Sequence, residues 1–402
     1  MSNNALYWLW LQNALGAGAE LREAIEYFGG AKEIYSADEF ALKFSGVFNP
    51  NQVAALSDKS LSKAEDIQSL CKLQGWQIID FDDDEYPQRL AEIENPPAVL
   101  YVDGCLPRVD DNLYISIVGS RKASSYSVKA AEIMSRGVAE HGAVVVSGAA
   151  LGVDSAAHNG AILCGGKTVA VLGCGFGVNY LMSNQPLRDA IKNNGALITE
   201  FPPFTPASKY TFPIRNRIIS GISLAVLVVE AGVKSGSLIT ARYAAEQGRE
   251  VFAIPCSIFE ENFAGTNRLI EDGASLAINP LDLLYPFAER FGIDIGRVKS
   301  AAQIYNSKPQ REQANYNADK SAEYSFENNS ESRSRRAKRQ NAASTLTGND
   351  LTVYNALSDE LVHIDEIIQK TNLPTGSVLT SLTTLELMDL VESAGGKRYK
   401  LS

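Results

Sequence analysis

The sequence predicts an α/β protein built on a doubly wound, mostly parallel β-sheet. Short runs rich in Val, Ile and Leu recur between residues 111 and 290, and most leave room for a helix before the next run. Several are apolar without alternation, as expected for strands covered by helices on both faces. Most end at Gly, Glu or Pro, where an open α/β sheet places its ligand crevice. The seven runs are LYISIVG (113–119), AVVVSG (143–148), TVAVLG (168–173), ALITE (196–200), SLAVLVVE (223–230), EVFAIP (250–255) and ASLAI (274–278).

The chain before this sheet is predicted to be helical and then irregular. Leu6, Leu9 and Trp10 follow helical spacing, and Gly29 ends the next apolar group. Residues 75–104 mix short apolar runs with a Pro-Pro break, which predicts a connector with a strand or two at its ends. We therefore expect an N-terminal helical domain over 1–70 and a sheet domain over 75–290, with its core at 111–290.

The chain after the sheet is predicted to be a linker and a small module. Residues 299–349 form the expected disordered linker, because 307–344 contain no Leu, Ile, Val or Met. This linker carries the basic run SRSRRAKR (332–339). Residues 350–402 show three helical patterns, at 351–358, 363–371 and 376–388, followed by two short strands around Gly395-Gly396. Three helices and a hairpin of this size predict a winged-helix module.

Composition excludes several classes of protein. The 402 residues include 37 Lys and Arg against 47 Asp and Glu, for a net charge of −10. This balance argues against coating nucleic acid by bulk charge, although a local basic groove is compatible with it, because fields act over about 8–10 Å. No apolar run approaches the ~20 residues that span a bilayer. The five cysteines form no CxxC pair. Neither a disulfide framework nor a zinc site is predicted, and we expect a cytoplasmic protein without a membrane partner.

Two strand-to-helix turns have the composition of phosphate sites. GSRKAS (119–124) follows the first core strand, and its backbone N–H groups and the fork of Arg121 could hold phosphate oxygens. The alternative is a surface arginine near a helix start. VEAGVKSGSLIT (229–240) places glycine and hydroxyl groups at a second junction, where simple helix capping by a serine is the alternative. The candidate residues of the two turns are Gly119, Ser120, Arg121, Ser235, Gly236 and Ser237.

SKYTFPIRNRIISG (208–221) has the composition of a single-strand binding segment. Lys209, Arg215 and Arg217 fall within nine residues, interleaved with Tyr210 and Phe212. Cations can follow a phosphate backbone while an aromatic ring stacks on a base. Arg215 and Arg217 cannot share one helix face, so at least one of them is expected to make structural ion pairs.

Catalytic groups are sparse. The three histidines have no metal-ligand spacing, and GAILCGGKT has neither the spacing nor the context of a phosphate-binding P-loop. Asp154, Ser155 and His158 fall on one helical turn, which cannot place an acid behind the histidine and a serine before it. Capping of the helix by Asp154 is the predicted role. We expect no catalytic residue, no metal and no cofactor.

Several ordered blocks together resemble the DNA-processing protein A (DprA/Smf) family. They are GSR (119–121), SGAALGVDSAAH (147–158), FPIRNRIISG (212–221), VEAGVKSGSLITARYAAEQGREVFAIP (229–255) and GTNRLIEDGA (265–274). The upstream segments DDDEYPQRL and PPAVLYVDG extend the resemblance over about residues 75–280. The C-terminal module resembles the winged-helix tail of many members. Residues 1–70 depart most from the helix-hairpin-helix-like or SAM-like domain of the family.

The resemblance implies an extended Rossmann-like domain that binds single-stranded DNA and is not an enzyme. It also implies a homodimer that protects incoming or processed strands and helps load a RecA-type recombinase during natural transformation, with single-strand-binding protein as a further partner. The family's DNA contacts carry over to Arg121, Lys209 and Phe212, with Arg215 and Arg217 flanking the groove.

Two other functions stay open at this point. The glycine-rich turns and Glu230 at a strand end are similar to nucleotide phosphoribohydrolases of the lysine-decarboxylase-like group. Their Pro-Gly-Gly-x-Gly-Thr signature is absent, however, and VKSGSLIT stands in its place. The winged helix could instead read duplex DNA. Its presumed recognition helix, 376–388, contains no Lys or Arg, and the nearby cations are Lys397, Arg398 and Lys400. A protein contact is at least as well supported for this module.

Overall fold

The computed structural model describes residues 4–307, 346, 348–358, 362–387, 390–394 and 398–401. The chain divides into two compact units, residues 1–310 and 311–402. The basic run at 332–339 lies outside the described residues, as does most of the predicted linker. None of the described helices combines the length and the apolar character needed to cross a bilayer.

Six helices open the first unit and pack on the sheet that follows. They are α1 (Ala5–Leu15), α2 (Arg22–Phe28), α3 (Ala31–Ser36), α4 (Glu39–Phe44), α5 (Pro50–Ser57) and α6 (Ser62–Gln74). The predicted stop at Gly29 is confirmed: this residue adopts φ 98°, a left-handed conformation that favours glycine. Trp8 and Leu11 belong to the same buried core as Leu172 and Leu197 of the sheet region. The N-terminal helices therefore share a core with the sheet.

The sheet has nine strands and is mostly parallel, as predicted. The strands are β1 (Gln77–Asp80), β2 (Val99–Gly104), β3 (Tyr114–Val118), β4 (Val144–Ser147), β5 (Thr168–Val171), β6 (Gly195–Thr199), β7 (Ala225–Val228), β8 (Glu250–Ala253) and β9 (Ser275–Leu276). Their order is β1-β2-β6-β5-β4-β3-β7-β8-β9. Each of the seven predicted runs overlaps one strand. The predicted connector supplies β1 and β2, which extend one edge in antiparallel pairing.

Ten further helices accompany the sheet. They are α7 (Gln88–Ala91), α8 (Ser125–Ala139), α9 (Val153–Leu163), α10 (Gln185–Asn194), α11 (Thr211–Gly221), α12 (Ser237–Glu246), α13 (Ala264–Glu271), α14 (Pro280–Leu284), α15 (Ala288–Phe291) and α16 (Ala301–Asn306). Tyr114 and Val118 of β3 face one buried core, and Ile115 and Ile117 of the same strand face another. Both faces of the sheet are thus covered, which explains why its strands are apolar without alternation.

The end of the first unit differs from the predicted start of the linker at residue 299. Residues 301–306 form α16, which a capping box between Ser300 and Gln303 opens. Ile304 is buried, and the Ala301 N–H donates to Asn279 Oδ1 at 2.9 Å. These contacts hold residues 301–306 in a short helix, because one apolar side chain and a satisfied cap anchor it.

The second unit has the predicted three helices and hairpin. Its elements are α17 (Gly348–Asn355), β10 (Val362–His363), α18 (Ile364–Thr371), α19 (Thr375–Leu387), β11 (Val391–Ala394) and β12 (Arg398–Leu401). The strands form an antiparallel sheet in the order β10-β12-β11. Val353, Ile367 and Leu382 lie in its buried core. Gly395, Gly396 and Lys397, at the predicted turn, lie outside the described residues.

Candidate nucleic-acid interface

A pocket of about 530 Å³ lies where loops following β3, β4 and β7 meet α11 and the start of α12. The chain winds from β3 toward β6 on one side and then returns to place β7 on the other side of β3. Ligands of open α/β sheets bind in the crevice at such a reversal. Nine of the ten predicted contact residues line this pocket: Gly119, Ser120, Arg121, Lys209, Phe212, Arg215, Ser235, Gly236 and Ser237.

Two exposed cations stand at the mouth of the pocket. Arg121 follows β3 and Lys209 precedes α11, and both side chains are exposed. In the described part of the chain neither forms an ion pair with a carboxylate. The Lys209 ammonium lies 5.1 Å from the ring centroid of Tyr210, whose side chain is 69% exposed. These charges are therefore available to an anionic ligand.

Phe212 supports the inner wall of the pocket. Its half-buried ring lies 5.6 Å from the ring of Tyr180 and packs closely over Gly173, where an added Cβ would come within 2.7 Å of it. The Arg121 guanidinium lies over the ring at 4.6 Å from the centroid. Arginine and phenylalanine thus form a stacked pair, and a base could stack on the guanidinium plane or displace it from the ring.

Arg215 forms the floor of the pocket instead of standing at its rim. It is 4% exposed, and its Nη1 donates to Gly148 O at 2.9 Å and also to Val171 O, at the ends of β4 and β5. Its Nε donates to Asn216 Oδ1 at 3.1 Å. Burial lowers the pKa of Arg215, and the nearby Asp154 opposes that shift. The buried guanidinium therefore makes the electrostatic potential in the pocket more positive, and its hydrogen bonds hold it in one position.

Asp154 also lines the pocket, and its predicted capping role is wrong. The N-cap of α9 is Gly152, and Asp154 lies inside the first turn. Its carboxylate turns back to accept from Gly148 N at 3.2 Å and Ala150 N at 3.4 Å, so it fixes the loop after β4. Burial raises the pKa of Asp154, while Arg215 and these backbone groups lower it.

Arg217 lies outside the pocket. Its Nη1 and Nη2 donate to Glu200 Oε1 and Oε2 at 2.9 and 2.7 Å, and both side chains are buried. This bidentate pair is the structural ion pair expected for one of the two arginines. The physical reason for their separation is helix geometry, since two residues correspond to about 200° of rotation. Arg215 therefore faces the pocket and Arg217 faces away from it.

The serine turn places the start of α12 at the pocket. The N-cap is Gly236, and it makes no side-chain capping bond. The hydroxyls of Ser235 and Ser237 are 2.8 Å apart, and Ser235 Oγ accepts from Ser237 N at 3.4 Å. Capping of the helix therefore does not by itself explain why serines stand at these two positions. The positive end of the α12 dipole lies beside Arg121 and Lys209 in the same pocket.

A buried carboxylate of this chain lies at the start of α8. Glu230, 1% exposed, accepts from Ser124 N at 2.9 Å and from Ser124 Oγ at 2.8 Å through Oε2. Ser124 is the N-cap of α8. A nucleotide phosphate in a Rossmann-type site uses the helix terminus at this point of the fold. Glu230 thus places a buried carboxylate beside that terminus, where it would repel a phosphate, and this weakens the case for a nucleotide-hydrolysing site built around it.

The sequence-adjacent Asp154, Ser155 and His158 do not form a catalytic unit. Ser155 Oγ donates to Ala150 O at 2.7 Å, whereas His158 Nδ1 lies 2.7 Å from Thr168 Oγ1. His158 is fully buried, and burial lowers its pKa to about 3, so the ring is neutral. Among the described residues, no group of three or more His, Cys, Asp or Glu is placed to hold a metal ion.

Sequence reasoning missed several residues that line the pocket. Asn216 stands between the two arginines, accepts from Arg215, and donates to Gly236 O at 3.4 Å. Its position in the RNR tripeptide was the available signal. Pro213, Ile219 and Ile239 supply apolar wall, and their role depends on the contact between α11 and α12, which no local pattern indicates.

Comparison with known proteins identifies relatives of both units. The family model described as DNA recombination-mediator protein A matches residues 77–288, and the model of the DprA winged helix domain matches residues 337–397. DNA processing protein DprA of Bacillus subtilis is 39% identical over 217 residues, which cover 54% of this chain and 73% of that protein. Protein Smf of Synechocystis is 32% identical over 332 residues, which cover 81% and 80%.

A solved structure is similar to most of this chain. The X-ray structure of DNA processing protein A from Streptococcus pneumoniae has a TM-score of 0.62 and 34% sequence identity, and the match covers 71% of this chain and 98% of that chain. The region matched by the first family model contains β1 to β9 and every residue that lines the pocket.

Proposed function

This chain belongs to the DNA recombination-mediator protein A family, which gives it a DNA-processing, recombination-mediator role, and we propose that it performs this role by binding single-stranded DNA in the pocket at the sheet reversal. The backbone phosphates contact Arg121 and Lys209 and the start of α12. An unpaired base stacks on the pair formed by Arg121 and Phe212. Arg217 is not part of this contact set.

The observation that carries the proposal is the convergence of nine predicted residues in one pocket. Exposed cations, a helix N-terminus and an aromatic ring together match what a phosphodiester with an unpaired base requires. A paired base presents its edge inside the duplex, whereas a pocket of this depth receives a base that is free to leave the stack. Because the net charge is −10, attraction of DNA depends on local cations such as Arg121 and Lys209.

Membership of this family supports finer functional proposals. We propose that the protein works in the cytoplasm as a homodimer without catalytic turnover, and that it protects incoming or processed strands. It then helps load a RecA-type recombinase during natural transformation, with single-strand-binding protein as a further partner. The domain plan of 1–70, 75–290 and a winged helix at about 350–402 belongs to the same proposal, with the linker beginning after residue 307 rather than at 299.

The test is a comparison of labelled single-stranded and double-stranded oligonucleotides of one sequence with the full chain. We expect single-stranded DNA to bind more tightly, and unlabelled single strands to displace it. Equal affinity for both forms would overturn the proposal that the pocket selects unpaired DNA. Recombinase loading is then tested by adding a RecA-type protein to strands precoated with this protein, where faster filament formation is expected.

A further inference from the structure

The N-terminal segment contacts α11 on the side of this helix that faces away from the pocket. We propose that Gly18, together with the buried pair of Arg217 and Glu200, positions α11 for DNA binding, so that the docking of Gly18 against Ile214 and Glu200 sets the affinity of the pocket. This inference rests on the proposed single-strand binding function. Gly18, Arg217 and Glu200 do not line the pocket, so they act through α11.

α11 has two faces with different partners. Its pocket face presents Phe212, Pro213, Arg215, Asn216 and Ile219. Its other face presents Ile214 to the N-terminal loop and Arg217 to Glu200. Because a short helix moves as a rigid body, a shift on one face moves the side chains on the other.

The contact between the loop and α11 leaves no spare space. Gly18 adopts φ +81°, and an added Cβ would lie 2.6 Å from Ile214 Cγ2. Its N–H donates to Glu200 Oε2 at 3.2 Å, the oxygen that also accepts from Arg217 at 2.7 Å. One carboxylate therefore ties the N-terminal loop and the pocket helix together.

A second hydrogen bond fixes the backbone of Glu200 to the N-terminal helices. Gln12 Nε2 of α1 donates to Glu200 O at 2.7 Å, and Gln12 Oε1 accepts from Tyr101 OH at 2.7 Å. All three side chains are buried. The segment that precedes the sheet is thus connected to the pocket helix through a continuous buried polar network, and such networks favour one arrangement of their members.

The same loop supplies a matched control. Gly16 adopts φ +86°, close to that of Gly18, but no described atom lies within 4 Å of an added Cβ. Gly16→Ala and Gly18→Ala therefore introduce the same methyl group at a similar positive φ, and each is expected to cost about 1–3 kcal/mol of backbone strain. Gly18→Ala alone pushes on Ile214 and so on α11.

The experiment measures single-stranded DNA affinity and melting temperature for the two variants of the full chain. We expect both to lower the melting temperature. Gly18→Ala should weaken binding by about tenfold, which is ~1.4 kcal/mol, while Gly16→Ala should bind as the wild type does. The salt dependence should stay unchanged in both, because every phosphate contact remains in place. Equal affinities for the two variants would overturn the inference.

A rescue variant separates positioning from general destabilisation. Ile214→Ala removes the side chain that an added Cβ at Gly18 would strike, so Gly18→Ala should cost little affinity on that background. A loss that persists in the double variant contradicts the inference. If Gly18→Ala does not fold, Glu200→Gln weakens the same link, and wild-type affinity in that variant would equally contradict it. Failure of the wild type to bind single strands would instead refute the proposed function itself.

Discussion

Replacing Phe212 by leucine tests whether an aromatic ring in the pocket stacks on a base. Leucine keeps an apolar side chain against Tyr180 and over Gly173 but removes the flat ring on which Arg121 rests. Leucine is smaller than phenylalanine, but because the ring is only half-buried the change should cost no more than about 1–2 kcal/mol of stability, and the variant should fold. Phe176→Leu, a buried ring beside Trp76 that does not line the pocket, is the matched control.

The expected loss follows from the surroundings of the ring. One base stacked on an aromatic side chain contributes about 1–3 kcal/mol, which corresponds to roughly 5- to 150-fold in affinity. Because the Arg121 guanidinium already covers the ring at 4.6 Å, we expect the lower half of that range. Phe176→Leu should leave affinity unchanged.

The assay is fluorescence anisotropy with oligo(dT) and with the same strand carrying abasic sites. Wild type should bind the abasic strand more weakly, whereas Phe212→Leu should bind the two strands alike. The free-energy cost of the abasic sites in wild type, minus their cost in Phe212→Leu, is the coupling energy between the ring and the base. If Phe212→Leu discriminates against abasic DNA as strongly as wild type does, the ring does not stack on a base and the assignment of Phe212 is refuted.

Three further outcomes are expected. His158 has a pKa of about 3 in the folded protein and about 6.5 in the unfolded chain. Between these values only the unfolded chain binds the proton, so the free energy of unfolding falls by ~1.4 kcal/mol per pH unit as the pH is lowered from about 6.5 towards 3. Urea unfolding at pH 7, 6 and 5 should show a steeper loss for wild type than for His158→Asn, and parallel curves would contradict this. Arg217→Met leaves the Glu200 carboxylate buried without its partner and should lower the free energy of unfolding by about 3–5 kcal/mol. The dependence of DNA affinity on salt concentration should stay unchanged, and a weaker dependence would mean that Arg217 contacts phosphate. Incubation with a panel of nucleoside monophosphates should release no free base, and release would favour the phosphoribohydrolase alternative.

The strands and the phosphate-type turns could be predicted because their signals are local. Each apolar run is shorter than ten residues, GSR directly follows β3, and KSGS leads from the loop after β7 into α12. The order of parallel strands then brings such turns to one edge. The convergence of Arg121 with Ser235 at one pocket needed no information beyond this rule.

The sequence could not show which of Arg215 and Arg217 faces the pocket and which forms the buried ion pair. Helical spacing shows that they face apart, but the direction of each depends on Glu200 and on the carbonyls of Gly148 and Val171, which the fold brings to α11. The contact of Arg121 with Phe212 likewise joins distant parts of the chain. Local patterns carry no information about such pairs.

The N-terminal helices illustrate the same limit. Their helical character was predictable from spacing and from the Gly29 stop, whereas their common core with the sheet depends on long-range packing of residues such as Trp8 and Leu172. The network through Glu200, which links these helices to α11, has no sequence signature for the same reason.

The central claim is that a few local cations bind single-stranded DNA on an acidic protein, and salt dependence tests it most directly. The double variant Arg121→Ala/Lys209→Ala should bind more weakly. The slope of log affinity against log salt concentration should become less steep by about 1.4, which is ~0.7 for each phosphate that the protein no longer neutralises. Lys63→Ala with Lys72→Ala, exposed cations of α6, is the control with the same change in net charge. It should keep the wild-type slope. If both double variants retain that slope and affinity, the DNA does not bind in this pocket.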